Sequence, residues 1–153
     1  MAETSSGDKI TVADRLEILD LLAVYNWALD TDDADGFVST FTDDGEFVTP
    51  RQVFKGQSSL RELAKYLLEK REQGGPRSHF HNVSNVVLRG DREEVRFVAQ
   101  LIGPRTADDG GMVLQLGWYD DIIRNTPQGW RFARRHFREW PEHKPSRSPV
   151  GVL

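Results

Sequence analysis

Two histidines, His79 and His81, stand two residues apart in the segment HFHNVSNVVL, and imidazole is the side chain whose ordinary pKa lies nearest neutrality. General-base removal of a proton is the chemistry that such a group supports. In an extended strand the two rings share a face with Val83, Asn85 and Val87. A polar ring on an apolar face needs a partner, so both histidines are either satisfied core residues or residues of a pocket. The pair His-x-His places no third ligand, and no metal site is expected from it. Cysteine is absent from the 153 residues. Thiol nucleophiles, thiolate metal sites, disulfides and cysteine-held iron-sulfur clusters are therefore excluded.

A second polar group comes from the last strand. Alternation puts Arg135 between Ala133 and Phe137 on one face, with Trp130, Phe132, Arg134, His136 and Arg138 on the other. An arginine so placed either buries its charge against a carboxylate or lines a polar pocket. The first helix offers Tyr25 and Asp30 as counterparts. Five helical residues amount to about 140° of rotation, so both reach one cavity only if Asp30 lies at or beyond a bent final turn. The alternative for Asp30 is a place in a solvated Asp-Thr-Asp-Asp turn. His136 and His143 are assigned to the surface or an interface.

These side chains need elements to carry them. A polar tail over residues 1–9 precedes a helix start signalled by Thr11 and Asp14. The apolar positions Val12, Leu16, Ile18, Leu19, Leu21, Leu22, Tyr25, Trp27 and Leu29 predict a helix to about Asp30, covered on more than one side. A short helix follows near 33–39, then a turn at Asp43-Asp44-Gly45 and a strand through Phe47. Ser59-Leu60-Arg61-Glu62 reads as a capping box for a third helix that stops before Gly74-Gly75-Pro76. Period-two patterns then predict strands near 78–89, 93–103, 111–124 and 129–140, with Arg89-Gly90-Asp91 as a hairpin turn. Helices followed by long strands define an α+β domain, residues 10–140, with a curved antiparallel sheet wrapped around the N-terminal helices. The polar, proline-rich residues 141–153 form a tail that is either disordered or laid over a neighbour as an ordered arm.

Composition narrows the partners. Hydrophobic residues make up 38% and charged residues 29%, with a formal charge of -4, which describes a globular chain with no general attraction to a phosphate backbone. The basic residues near the C-terminus are divided between strand faces, and nucleic-acid binding is not expected. No apolar run approaches the roughly 20 residues of a bilayer span, and the start MAETSSGDKI lacks the apolar segment of a signal peptide. A cytoplasmic location and no membrane partner are expected.

The runs EILDLLAVYNWALDTDDADGFVSTFTDDGEF, HFHNVSNVVLRGD and GWYDDIIRNTPQGWRFARR together resemble the nuclear-transport-factor-2-like superfamily. The branch they are most similar to is the polyketide-cyclase-like (SnoaL-like) group that includes scytalone dehydratase, bile acid 7-alpha-dehydratase and hexachlorocyclohexane dehydrochlorinase. The beta subunits of ring-hydroxylating dioxygenases share much of the pattern. The resemblance covers roughly residues 10–140 and implies a cone-shaped pocket between sheet and helices. It also implies that Asp30 pairs with a histidine, that this histidine is His81, four residues before Asn85, and that Tyr25 and Arg135 join them. Two departures stand out. His79 is an additional histidine, the alternative base if the register shifts by two, and the dehydrochlorinase has lysine where this chain has Tyr25.

The resemblance implies a cofactor-free lyase or isomerase of the dehydratase or cyclase type, acting on a small hydrophobic cyclic or polyketide-like molecule. His81 would abstract a C–H proton, Asp30 would hold its tautomer, and Tyr25 and Arg135 would stabilise the developing oxyanion. Trp27, Phe47, Val83, Leu114 and Leu116 are the expected apolar walls. Relatives form dimers or trimers, so a homo-oligomer is expected. The alternatives are a noncatalytic small-molecule binder or a beta-type subunit of a ring-hydroxylating dioxygenase.

Overall fold

Thr11 opens the first helix by a reciprocal cap, accepting the N–H of Asp14 at 3.1 Å while the Asp14 carboxylate accepts the N–H of Thr11 at 2.9 Å. The chain, described here by a computed structural model over residues 9–73, 77–78 and 80–151, continues from this cap as α1 (Val12–Asp30), α2 (Ala34–Ser39), β1 (Phe41–Val48), β2 (Val53–Lys55), α3 (Gly56–Glu72), β3 (Arg77–Ser78), β4 (Asn82–Gly90), β5 (Glu94–Thr106), β6 (Met112–Thr126) and β7 (Gly129–Glu139). No helix among the described residues is long and apolar enough to cross a membrane.

The helices pack on one face of the sheet. Ile18, Leu21, Leu22, Tyr25 and Ala28 of α1, with Phe37 and Val38 of α2 and Leu60 and Leu63 of α3, meet Leu88, Val95, Phe97, Ala99, Leu101, Tyr119, Ile123, Trp130 and Phe132 from the strands. Every second residue of β5 from Val95 to Leu101 faces this core, as a half-covered strand requires. Each large apolar side chain fully buried there contributes about 1.5–3 kcal/mol. Among the described residues, one side of α1 is covered. Val12, Leu16, Leu19, Val24 and Trp27 are exposed, which corrects the expectation of cover on more than one side.

The sheet departs from the expected cone of antiparallel strands. Its order is β2-β1-β7-β6-β5-β3, with β4 also pairing β5, and β1 runs parallel to β7. It is therefore mixed and open, with β2 at one margin and β3 and β4 along β5 at the other. The expected antiparallel cone wrapped around the helices is thus replaced by an open α+β layer. Consecutive strands joined by hairpins must be antiparallel, but β1 and β7 are far apart in the chain and no hairpin dictates their relative direction.

Irregularities explain the other differences. Asp43-Asp44-Gly45 is an irregular stretch inside β1, where the register with β7 shifts between Phe41 and Glu46, and not a turn. A Cβ on Gly45 would come within 2.9 Å of the Phe41 side chain. The third helix starts at Gly56, ahead of the predicted box at Ser59. The first long strand starts at Asn82, and Asn85 takes φ 52° where the register with β5 shifts between Ser84 and Val87. Asparagine tolerates this left-handed conformation better than most residues, and the extra residue reverses the alternation beyond it. Val83 therefore shares the core side with Val86, not with Val87.

A second shift, between Ile122 and Ile123 opposite β7, does the same near Ala133. Phe132 and Arg135 consequently lie on the same side, and the guanidinium carbon is 4.5 Å from the Phe132 ring centre. After β7 the chain folds back on its own sheet. Trp118 Nε1 donates to the His143 carbonyl at 3.0 Å and Arg96 Nη1 to the Pro149 carbonyl at 3.0 Å. His79, residues 1–8 of the N-terminal tail, residues 152–153 and Gly74-Gly75-Pro76 lie outside the described residues.

Candidate functional site

Helix α1 ends in a way that aims Asp30. Thr31 caps it, Asp32 takes φ 60°, and the N–H of Asp33 returns to the Ala28 carbonyl at 2.8 Å. This is the 6→1 bond of a Schellman-type stop, with aspartate in the left-handed position usually held by glycine. It turns the chain away immediately after Asp30 and leaves that carboxylate at the helix end. Asp30 Oδ1 lies 2.6 Å from His81 Nδ1, and Asp30 Oδ2 accepts the backbone N–H of His81 at 3.1 Å. Both side chains are largely shielded from solvent.

His81 precedes β4 and is held close to β5. A Cβ on Gly103 would meet the Phe80 carbonyl oxygen at 2.3 Å and the His81 Cα at 3.9 Å. Only glycine at 103 lets the backbone of 80–81 approach this closely. Nothing in the sequence reading singled out Gly103; its position inside a strand pattern was the available signal.

A cavity of about 660 Å³ opens between the sheet, α1 and α3. His81 and Tyr25 stand in its wall, with Phe47, Leu29, Leu63, Leu101, Tyr119 and Phe137 supplying apolar and aromatic surface. Phe47 is the one expected wall residue found there. Trp27 projects from the uncovered side of α1, Leu114 and Leu116 are exposed on β6, and Val83 packs against the core. Parity along β6 separates these groups: Gln115 and Tyr119 line the cavity, while the even-numbered leucines face away.

Asp30 and Arg135 stand behind the wall. Arg135 is fully buried, its guanidinium carbon 4.0 Å from the Tyr25 ring centre and 3.8 Å from that of Tyr119. Its Nη1 lies 3.2 Å from Oδ2 of the equally buried Asp121, whose Oδ1 accepts the His136 N–H at 2.9 Å. Of the two alternatives for Arg135, pairing with a carboxylate is the one observed. Burial pushes Asp121 up to about 7 against the pull of Arg135 and the His136 N–H. Burial also raises Tyr25 well above the ordinary phenol value, opposed by Arg135, and raises Tyr119 in the same way. Both phenols are thus held in the protonated form, and both residues line the cavity. Among the described residues no three histidine, aspartate or glutamate side chains group as a metal ion would require.

An open mixed sheet with its helices on one face and a cavity between them is the NTF2-like, cystatin-like α+β arrangement. A SnoaL-like domain profile matches residues 11–136, and the chain belongs to that family. The Mycobacterium tuberculosis protein Rv2910c is 30% identical over 126 residues, spanning 81% of this chain and 84% of that protein. A Novosphingobium aromaticivorans protein provisionally named an aromatic ring hydroxylase is similar in structure, with a TM-score of 0.75 and 27% identity over 86% of this chain and 92% of that one. A protein of the same organism provisionally named a scytalone dehydratase superposes with a TM-score of 0.70 at 18% identity, over 84% of this chain and 85% of that one. This last likeness is one of fold.

Proposed function

We propose that the protein is a cofactor-independent lyase or isomerase of the dehydratase or cyclase type, acting on a small hydrophobic cyclic or polyketide-like molecule. The observation that carries this reading is the contact of His81 with Asp30 at the cavity wall, 2.6 Å between Nδ1 and Oδ1. With Nδ1–H donated to Asp30, Nε2 is left unprotonated to remove a proton from carbon next to a carbonyl. Asp30 stabilises the imidazolium so formed. The carbonyl oxygen, now an enolate, accepts hydrogen bonds from the Tyr25 and Tyr119 hydroxyls, with the positive Arg135 behind their rings. In a dehydration the imidazolium gives its proton to the departing β-hydroxyl, releasing water and restoring neutral His81. In an isomerisation it returns the proton to a different carbon.

The test is deuterium incorporation or water loss in a panel of β-hydroxy ketones and unsaturated cyclic ketones, followed by NMR. His81→Gln should lower the rate by about 10²–10⁴-fold, the usual worth of a positioned base. An unchanged rate would overturn the reading. His79 is the alternative base, and His79→Gln is expected to keep the activity. The exposed Val12, Leu16 and Trp27 stripe supports assembly of copies into a homo-oligomer, which sedimentation would check.

A second reading, a noncatalytic binder or the beta-type subunit of a ring-hydroxylating dioxygenase, is favoured by the likeness to the protein provisionally named an aromatic ring hydroxylase. Stable co-purification with an iron-sulfur alpha-type chain, together with inert His81, would support it.

A further inference from the structure

The wall of the cavity changes character towards solvent. Arg51 of the β1–β2 loop, Lys70 near the end of α3 and Arg105 near the end of β5 all line it and are all exposed. The same lining contains one carboxylate, Glu139. Three cations from three separate elements thus converge in a protein of formal charge -4.

Among the described residues these three cations are not neutralised by ion pairs, unlike several arginines elsewhere on the sheet. Arg92, Arg96, Arg124 and Arg134 each lie within 4 Å of a carboxylate, at 3.6, 2.8, 2.8 and 3.2 Å. Among the described residues neither Arg51, Lys70 nor Arg105 has one; the Lys70 ammonium sits 4.8 Å over the Tyr66 ring, itself part of the lining. Cations left without counter-charges around a concave opening focus the field there and raise the local concentration of anions.

We infer that the cavity takes an apolar molecule bearing a carboxylate, its apolar body against Phe47, Leu101 and Phe137 near His81 and its carboxylate at the mouth among Arg51, Lys70 and Arg105. The inference rests on the reading of this cavity as the substrate site and narrows the substrate class to hydrophobic acids. Orientation follows from it. Held by its anionic end at the mouth, the molecule presents its apolar end to His81 and the two tyrosines, so the reacting carbon lies remote from the carboxylate.

Calorimetric titration of the full chain with 2-naphthoate and with its methyl ester tests this without requiring turnover. The acid should bind at least about tenfold more tightly than the ester at low salt, and the preference should shrink as sodium chloride screens the mouth. Arg51→Gln, Lys70→Gln and Arg105→Gln combined should abolish the preference while ester binding persists; Arg105→Glu alone should weaken only the acid. Equal binding of the two probes, binding of neither, or a preference that survives the combined substitution would overturn the inference. A failure of the catalytic reading is seen separately, as proton transfer unaffected by His81→Gln.

Discussion

Asp30 holds His81 twice, through the backbone N–H at 3.1 Å and through Nδ1 at 2.6 Å. One carboxylate therefore fixes both the position of the residue and the orientation of its ring. Asp30→Asn retains an oxygen for the backbone N–H, but an amide nitrogen facing Nδ1 favours the opposite tautomer and places a proton on Nε2. Turnover should fall by about 10²–10⁴-fold with little change in thermal midpoint. Parallel kinetic and melting measurements check this.

Gly103 is expected to act through His81. Gly103→Ala forces a Cβ against the Phe80 carbonyl, so the 80–81 backbone must withdraw from β5. The expected result is lost turnover with the overall fold kept, because a displacement of about 1 Å can cost about 10²-fold. Circular dichroism with kinetics separates the two effects.

Tyr25 has a packing role and a proposed chemical one, and two substitutions divide them. Its ring meets Phe37, Phe41 and Phe132 with centres 5.4, 6.1 and 5.5 Å away. Tyr25→Ala should destabilise by about 3–5 kcal/mol, as large-to-small aromatic changes in cores do. Tyr25→Phe keeps the ring and should lower kcat with a much smaller effect on stability. Denaturant melts and kcat measured on both variants distinguish them.

Asp121 gives a pH dependence of defined sign. Its folded-state pKa of about 7 lies above the ordinary value of 3.8, so between these values the folded protein holds a proton that the unfolded chain releases. The stability linked to this group is fully present below pH 3.8 and is lost as pH rises through 7. His136, pushed down chiefly by burial, works in the opposite sense, so the signal is the difference between wild type and Asp121→Asn across pH 4.5–7.5. The variant should lose the Asp121 component of the slope. Towards the upper end of this range, where Asp121 becomes ionised, the variant should also become less stable, by up to about 3–5 kcal/mol, because Arg135 loses its charge partner. Urea melts across this range read both effects.

Much of the architecture was legible because it is periodic. Thr11 and Asp14 announced α1, and alternation announced four long strands whose turns carry Gly90 and Gly129. Direction and phase were less accessible. Nothing local makes β1 parallel to β7, and one extra residue near Asn85 or Ala133 inverts every later side chain without disturbing the hydrophobic count. This is why Phe132 was placed opposite Arg135. Residues near helix and strand ends suffered least: Tyr25, Asp30 and His81 were selected from their motifs, and the structure brings Asp30 to His81 and puts Tyr25 in the same wall. Tyr119, Asp121, Arg51, Lys70 and Arg105 were not singled out for the site, since their convergence depends on register and on the packing of α3 and the β1–β2 loop.

The central claim is that His81 presents a proton-free Nε2 to the cavity while Nδ1–H is held by Asp30. Nitrogen-15 NMR of the imidazole in the uniformly labelled protein measures this directly, with Asp30→Asn as the control. Neutral His81 is expected to carry its proton on Nδ1 in the wild type and to shift towards the Nε2–H tautomer in the variant. An Nε2–H tautomer in the wild type, or a tautomer balance indifferent to Asp30, would contradict it.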